Sequence, residues 1–382
     1  MAVGQSSEPS ARLAGAAAAT GALERDGAKL LVAYSSCSYD LEELLAGIRS
    51  QAGDVPTIGC STAGEIATNG PGSTSVVVVA FGGDGLSVRT AAAEHASSRL
   101  REAGAEVASG LAGENGFPHR VLMLLTDGLA GDQQEIVRGA YSVLGASVPL
   151  VGGCAGDDLA MTKTFQLHGD RVLSDAVIGA WISSEAPLGI GVRHGWRRVG
   201  EPMVVTRSAD NRVFMLDDEP ALDVYLSRLE APAAAHDDPE AFTRFAMTHP
   251  LGIGHRTGED HVRFVAEADF DDRSIGCIAE VPQGGLAWFM EGDADSVLEA
   301  TDAACADALA PLAPNAPVGL MAFDCIARRG VLGEQRIVDE IERVGVHANG
   351  APVAGFYTYG EIARTHGISG FHNQTLVILA LS

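Results

Sequence analysis

The chain has 382 residues, 46% of them hydrophobic, and a formal net charge of −24. That much apolar material excludes a disordered chain and suits two or three domains or one large duplicated one. The acidic balance would repel a phosphate backbone, which argues against nucleic acid as a partner.

In chain order, residues 1–28 lack the basic start of a signal peptide and read as a helix and tail, with Ser10 at the N-cap position. No apolar run reaches the ~20 residues that cross a bilayer, so no membrane insertion is expected. Leu30–Ser35 reads as a strand and Asp40–Gln51 as a helix. VPTIGCSTAGEI, Val55–Ile66, comes next as a strand running into a loop of glycine, hydroxyls and an acid, and Ser73–Phe81 as a further strand. The same order returns at Arg120–Gly128, Asp132–Gly145, VPLVGGCAGDDL (Val148–Leu159) and Ser174–Ile182. It returns again at Val318–Cys325, Leu332–Gly345, APVAGFYTYGEI (Ala351–Ile362) and Gln374–Leu381. Pro56, Gly59, Gly64 and Glu65 match Pro352, Gly355, Gly360 and Glu361 without a gap. In the middle copy Pro149, Gly152 and Asp158 keep the spacing, while Gly156 comes one residue early.

These are β-α-β units with parallel strands. The fold class expected is therefore α/β, with duplicated β-α-β units and an antiparallel β segment in the C-terminal half. That segment is read from HVRFVAEAD, SIGCIAEV and LAWFMEG, followed by a helix over 293–310. APAAAHDDPEAF reads as a connector before it.

The glycine-acid loops leave the carboxyl ends of strands, the edge at which open α/β sheets bind ligands. Ser61, Thr62, Glu65 and Asp158 are candidate contacts in the first two copies. The third copy is richest: Arg328, Tyr357, Thr358, Tyr359, Glu361 and Asn373. There Arg328 would clamp a carboxylate and Glu361 an ammonium, which suits an amino acid. Two plainer readings stand beside it: Arg328 and Glu361 pair with each other, or the acids cap neighbouring amides.

Gly152–Gly156 spells G-x-C-x-G, but the residues after Gly156 read as a hairpin rather than the helix a nucleophile elbow requires. Enzyme chemistry at Cys154 or Cys325 is therefore not expected. The six cysteines (Cys37, Cys60, Cys154, Cys277, Cys305, Cys325) have no zinc spacing and read as reduced thiols of a cytoplasmic protein.

The chain resembles the FIST sensory family over roughly residues 20–382. The resemblance rests on SYDLEELL with VPTIGCSTAGEI, VPLVGGCAGDDL, PLGIGVRHGW, VVTRSADNRVFMLDDEPALDVY, THPLGIG, FDCIARRG, and GFYTYGEIA followed by FHNQTLVILAL. It implies an N-type sensory domain over 29–225 and a C-type one over 226–382. The implied function is a bacterial signal-transduction sensor, not an enzyme, that binds a small molecule such as an amino acid. With no output domain in view, it would signal through a partner protein such as a histidine kinase. Some members resemble haem-carrying nitric-oxide sensors. Haem would need an axial ligand, for which His249, in AMTHPLGI, is the first choice among His194, His249 and His372.

Overall fold

The computed structural model describes residues 1–113, 116–254, 261–365 and 370–382. The repeat is longer than the sequence motif. A strand and a helix precede each β-α-β unit, so the module is β-α-β-α-β, then a hairpin, then β.

The first unit comprises β1 (Ala2–Ser6), α1 (Ala11–Ala22), β2 (Ala28–Ser36), α2 (Leu41–Ala52), β3 (Thr57–Thr62), the hairpin β4 (Glu65–Ala67) and β5 (Gly70–Gly72), and β6 (Val76–Gly82). The second comprises β7 (Leu86–Glu94), α3 (Leu100–Leu111), β8 (His119–Thr126), α4 (Gln133–Leu144), β9 (Leu150–Cys154), the hairpin β10 (Gln166–His168) and β11 (Arg171–Leu173), and β12 (Ala176–Ser184).

The third unit begins with β13 (Leu188–Arg193) and is interrupted by an insertion. That insertion holds β14 (Arg197–Ala209), β15 (Arg212–Leu216), β16 (Glu219–Pro220), α5 (Ala221–Arg228), α6 (Pro239–Ala246), β17 (Leu251–Ile253), β18 (His261–Arg263), β19 (Val265–Asp269), β20 (Ser274–Cys277) and β21 (Leu286–Glu291). The unit resumes with α7 (Ala294–Leu309), β22 (Gly319–Cys325), α8 (Ile326–Ala348), β23 (Val353–Thr358), the hairpin β24 (Glu361–Arg364) and β25 (Phe371–His372), and β26 (Leu376–Leu381).

Within each unit the strand order is the same: β1-β6-β2-β3, β7-β12-β8-β9 and β13-β26-β22-β23. The pairs β2–β3, β8–β9 and β22–β23 are parallel; the pairs with β6, β12 and β26 are antiparallel. The hairpins are exchanged around a ring. The first unit's β4 pairs with β23, the third unit's β24 with β9, and the second unit's β10 with β3. Each sheet therefore has six strands, four of its own and two lent by a neighbour.

Strands buried on both faces read as unbroken apolar runs, because alternate side chains must satisfy two cores. Leu30, Val32 and Tyr34 point to a central core shared by all three sheets, with Met123 and Ile178 from the second and Phe323 and Phe356 from the third. Tyr34 stacks on Phe356 there at 4.7 Å. Leu31 and Ala33 point outward to α1 and α2. Asp40 caps α2, accepting the amides of Glu42 and Glu43, and Asp132 caps α4 through Gln134. Ser10 holds the N-cap position of α1 without a side-chain bond.

The insertion forms a curled antiparallel sheet, β18-β17-β21-β14-β15-β20-β19, with β16 against β15. The stretch read as a connector instead turns into α6. Asp238 caps that helix, Pro239 starts it, and Phe242 is fully buried. No helix among the described residues is long and apolar enough to cross a membrane.

Candidate functional site

The three glycine-acid loops do follow the carboxyl ends of parallel strands, and the ring brings them together. Their first glycines serve the chain itself. Gly59, Gly152 and Gly355 lie opposite Ala33, Leu124 and Ala322 in the parallel pairs. A Cβ at any of them would run into the carbonyl of that partner. The close approach they permit is between strands, not toward a ligand.

The acids repeat one geometry. Glu65 takes the Thr62 hydroxyl at 2.6 Å on one oxygen and the Ser75 amide at 3.1 Å on the other. Glu361 takes the Thr358 hydroxyl at 2.5 Å and the Thr375 amide at 3.1 Å. Ser75 and Thr375 stand just before β6 and β26, so each acid ties the lent hairpin to the strand that comes after it. Both are fully buried. Burial pushes Glu65 up to about 7 and Glu361 up to about 8, against the hydrogen bonds that pull them down.

The middle copy corrects the sequence reading. Glu65 pairs with Phe356, Glu361 with Gly153 and Gln166 with Cys60, which are like positions on the three strands. Gln166 Oε1 accepts the Ala176 amide at 3.2 Å, and its Nε2 donates to Thr164 at 3.2 Å. Gln166, not Asp158, is thus the counterpart of the two glutamates. Three positions separate Thr62 from Glu65 and Thr358 from Glu361; eleven separate Ala155 from Gln166. The extra residues form a loop. Asp157 anchors it by accepting the amides of Met161, Thr162 and Lys163 (2.9, 2.7 and 2.9 Å) and the Tyr359 hydroxyl. Those bonds hold Asp157 below its ordinary range. Asp158, Leu159 and Met161 all adopt left-handed φ. Asp158 accepts from Ser36 Oγ (3.3 Å) and Cys37 Sγ (3.5 Å), and Ser61 Oγ donates to the Gly156 carbonyl at 2.8 Å.

Cys154 ends β9 in full burial and leads into a loop, not a helix, so the nucleophile-elbow geometry is not formed. Burial raises the Cys154 thiol far above its ordinary value.

Arg328 sits at the start of α8 with no exposure. Nε meets Asp324 at 2.8 Å and Nη2 meets Glu340 at 2.5 Å and Thr301 at 3.0 Å; Nη1 donates to the His194 carbonyl at 2.9 Å. Its hydrogen-bonding partners are thus Asp324 and Glu340 rather than Glu361. Asp324 and Glu340 escaped the sequence reading; the i,i+4 spacing of Asp324 to Arg328 was the available signal. Burial, then the Glu340 carboxylate, drives the Asp324 carboxyl well above its ordinary value, against the pull of the Arg328 guanidinium.

Five buried oxygens here have no hydrogen-bond partner among the described residues: Asp324 Oδ2, Glu340 Oε2, Tyr357 OH, Asn373 Oδ1 and Gln374 Oε1. They stand at or beside the ends of β22, β23 and β26, where the third unit meets the insertion. Gln374 bridges that seam, donating to the Met247 carbonyl at 2.8 Å. Tyr357 is fully buried, while Tyr359 is half-buried. Arg329, also missed, stacks over the Tyr357 ring at 5.0 Å and reaches the Ala63 carbonyl at 3.4 Å.

For haem, His249 Nδ1 contacts the Phe245 carbonyl at 2.8 Å, which favours the tautomer with Nε2 as acceptor. Its ring, however, stacks on Phe245 at 4.2 Å. His194 Nδ1 accepts the Trp196 amide at 2.9 Å, and His372 Nε2 contacts the Ala363 carbonyl at 2.9 Å. His366 lies outside the described residues.

Among curated proteins, an uncharacterized protein of Methanocaldococcus jannaschii is 25% identical over 42% of this chain and 32% of its own length. An uncharacterized protein of Mycobacterium tuberculosis is 26% identical over 59% of both. The chain thus spans about a third to three fifths of these relatives. Among solved structures, a chorismatase aligns over 94% of this chain and 93% of its own, with 11% identity and a TM-score of 0.32. The FIST N domain matches residues 29–219 and the FIST C domain residues 221–364, domains that serve as sensors in signal transduction. The chain belongs to the FIST family.

Proposed function

We propose that the chain is a cytoplasmic sensor that binds a small amino-acid-like molecule at the strand ends of the third unit and passes its state to a partner protein, such as a histidine kinase. The observation that carries this reading is the set of unpaired buried oxygens at the strand ends of the third unit, two of them on the acids bonded to Arg328. A buried polar atom without a partner costs about 1–3 kcal/mol, so such a cluster awaits something that supplies donors. Acceptors predominate: Asp324 Oδ2, Glu340 Oε2, Asn373 Oδ1 and Gln374 Oε1 against the single hydroxyl of Tyr357. An ammonium group meets that demand. It would take the place of the proton that burial favours on Asp324 and leave the Arg328 pairing intact. Arg329, beside Tyr357 and 13% exposed, is paired with Glu334 at 3.1 Å and would exchange that carboxylate for the ligand's own. Entry requires the seam with the insertion to loosen, which supplies the conformational difference a partner could read.

Calorimetric titration of free amino acids and primary amines tests this. Tyr357→Phe and Asn373→Ala should each weaken binding roughly tenfold to a hundredfold while unfolding stays cooperative. Proton release should accompany uptake. If neither amino acids nor amines bind or raise the melting temperature, the reading fails.

A further inference from the structure

The three units allow like positions to be compared. Gly47 of α2 and Gly139 of α4 pack on the carbonyls of Arg12 and Arg101 in the preceding helices, and are therefore equivalent. Counting from them, Glu42 and Arg49 stand where Gln134 and Tyr141 stand in the second unit. Counting from Gln166 and Glu361, Gly169 stands where Arg364 does.

In the second unit these positions close the groove between helix and lent hairpin. Gln134 Oε1 accepts the amides of Gly370 and Phe371 at 3.3 and 3.2 Å. Arg364 lies over the Tyr141 ring at 4.9 Å and donates to the carbonyls of Gly145 (3.0 Å) and Val148.

In the first unit none of the three closes it. Gly169 brings no side chain, and a Cβ there would meet nothing. Instead a cavity of about 850 Å³ opens between Glu42, Leu45, Ala46 and Arg49 of α2 and residues 170–175. β11 is the outer strand of its sheet, paired with β10 alone. Of the charges around the cavity, Arg171 is held by Glu94 at 2.7 Å, and Asp175 by the amide and hydroxyl of Ser97 at 2.6 and 3.0 Å. Among the described residues, the Glu42 and Asp170 carboxylates and the Arg49 guanidinium have no such partner.

We propose that this groove binds a short extended peptide of a partner protein, laid along the open edge of β11. An edge strand offers unpaired backbone groups to an added strand. Leu45 and Ala46 from α2 and Val172 and Leu173 from the hairpin give an apolar side chain a place to sit. Glu42 and Arg49 are two helical turns apart, about 10 Å along the axis, which an extended chain spans in about three residues. The peptide therefore carries a basic residue toward Glu42 and an acidic one toward Arg49, with an apolar residue between.

The test pans a random-peptide phage library on the full chain against the bare support, then measures an enriched peptide by fluorescence polarisation. Enriched peptides should share that charge order. Binding should fall by roughly tenfold or more in Arg49→Glu, and be lost in Ala46→Trp, which fills the groove. The double swap Glu42→Lys with Arg49→Glu should prefer the charge-reversed peptide. If Ala46→Trp misfolds, the exposed charge swaps decide alone. No enrichment over the support overturns the proposal. So do peptides that bind the swapped variants as tightly as the parent.

Discussion

Replacing Glu361 by glutamine should stabilise the protein in alkali and leave it nearly unchanged in acid. The second unit already carries a glutamine, Gln166, in this place, with its amide on Thr164 and its carbonyl on the Ala176 amide. A glutamine at 361 can do the same with Thr358 and Thr375. The carboxyl, by contrast, is fully buried and titrates at about 8 instead of 4.5. Below 4.5 it is protonated in the folded and unfolded chain alike, and its contribution to stability is fully present. As the pH rises from there, the unfolded chain ionises first, so stability falls until the folded group also ionises near 8. From 4.5 to about 8, at about 1.36 kcal/mol per pH unit, the loss at about pH 9 is on the order of 5 kcal/mol. Glu65, at about 7, adds a smaller loss of the same sign. Urea unfolding from about pH 4 to about pH 9 measures both. The double variant Glu65→Gln, Glu361→Gln should flatten the curve and exceed the parent at the alkaline end. The reasoning is wrong if the double variant loses stability at every pH and the slope persists. The acids would then be ionised, and the carboxylate itself would be what the hairpins require.

Gly355→Ala should cost about 3 kcal/mol or abolish soluble expression, because its Cβ would meet the Ala322 carbonyl; thermal unfolding reads this. Arg328→Ala leaves Asp324 and Glu340 buried without their cation and should lower stability by about 3–5 kcal/mol, measured in urea. Asp157→Asn and Tyr359→Phe should each cost about 1–3 kcal/mol, and a double-mutant cycle should show them coupled through their shared bond. In the native protein a thiol reagent should label Cys37 alone among the cysteines. It should do so slowly at neutral pH, because burial and Asp158 push that thiol up to about 11; mass spectrometry counts the labels.

The β-α-β repeat was legible because parallel strands buried on both faces leave long apolar runs, and because Gly59 and Gly355 cannot vary without a clash between paired backbones. The preceding strand and helix of each unit were not recognised as part of it. Their shared signal is slight: Arg12 and Gly15 in α1 recur as Arg101 and Gly104 in α3, each pair facing a glutamate and a glycine of the next helix. The middle copy was misaligned because its acid is a glutamine and an inserted loop stands before it, so the nearest acid, Asp158, took its place in the pattern. Arg328 stood out in the sequence, but its acidic partners lie on the preceding strand and twelve residues further along a kinked helix. The exchange of hairpins leaves no local trace, since a short strand lent to a neighbour reads the same as one kept at home.

That exchange bears on how the chain can fold. β3 closes its sheet edge only with residues from the second unit, β9 only with residues from the third, and β23 only with residues from the first. The last of these pairings joins Glu65–Ala67 to Ala354–Phe356 across almost the whole sequence. During synthesis the first unit therefore emerges long before the strand its hairpin must reach, and neither the first nor the second sheet can be completed before the next unit arrives. Contacts of such separation make for slow folding. A truncation after the second unit should leave the second sheet with a bare β9 edge and the first unit's hairpin with nowhere to dock, a state prone to pair with other chains.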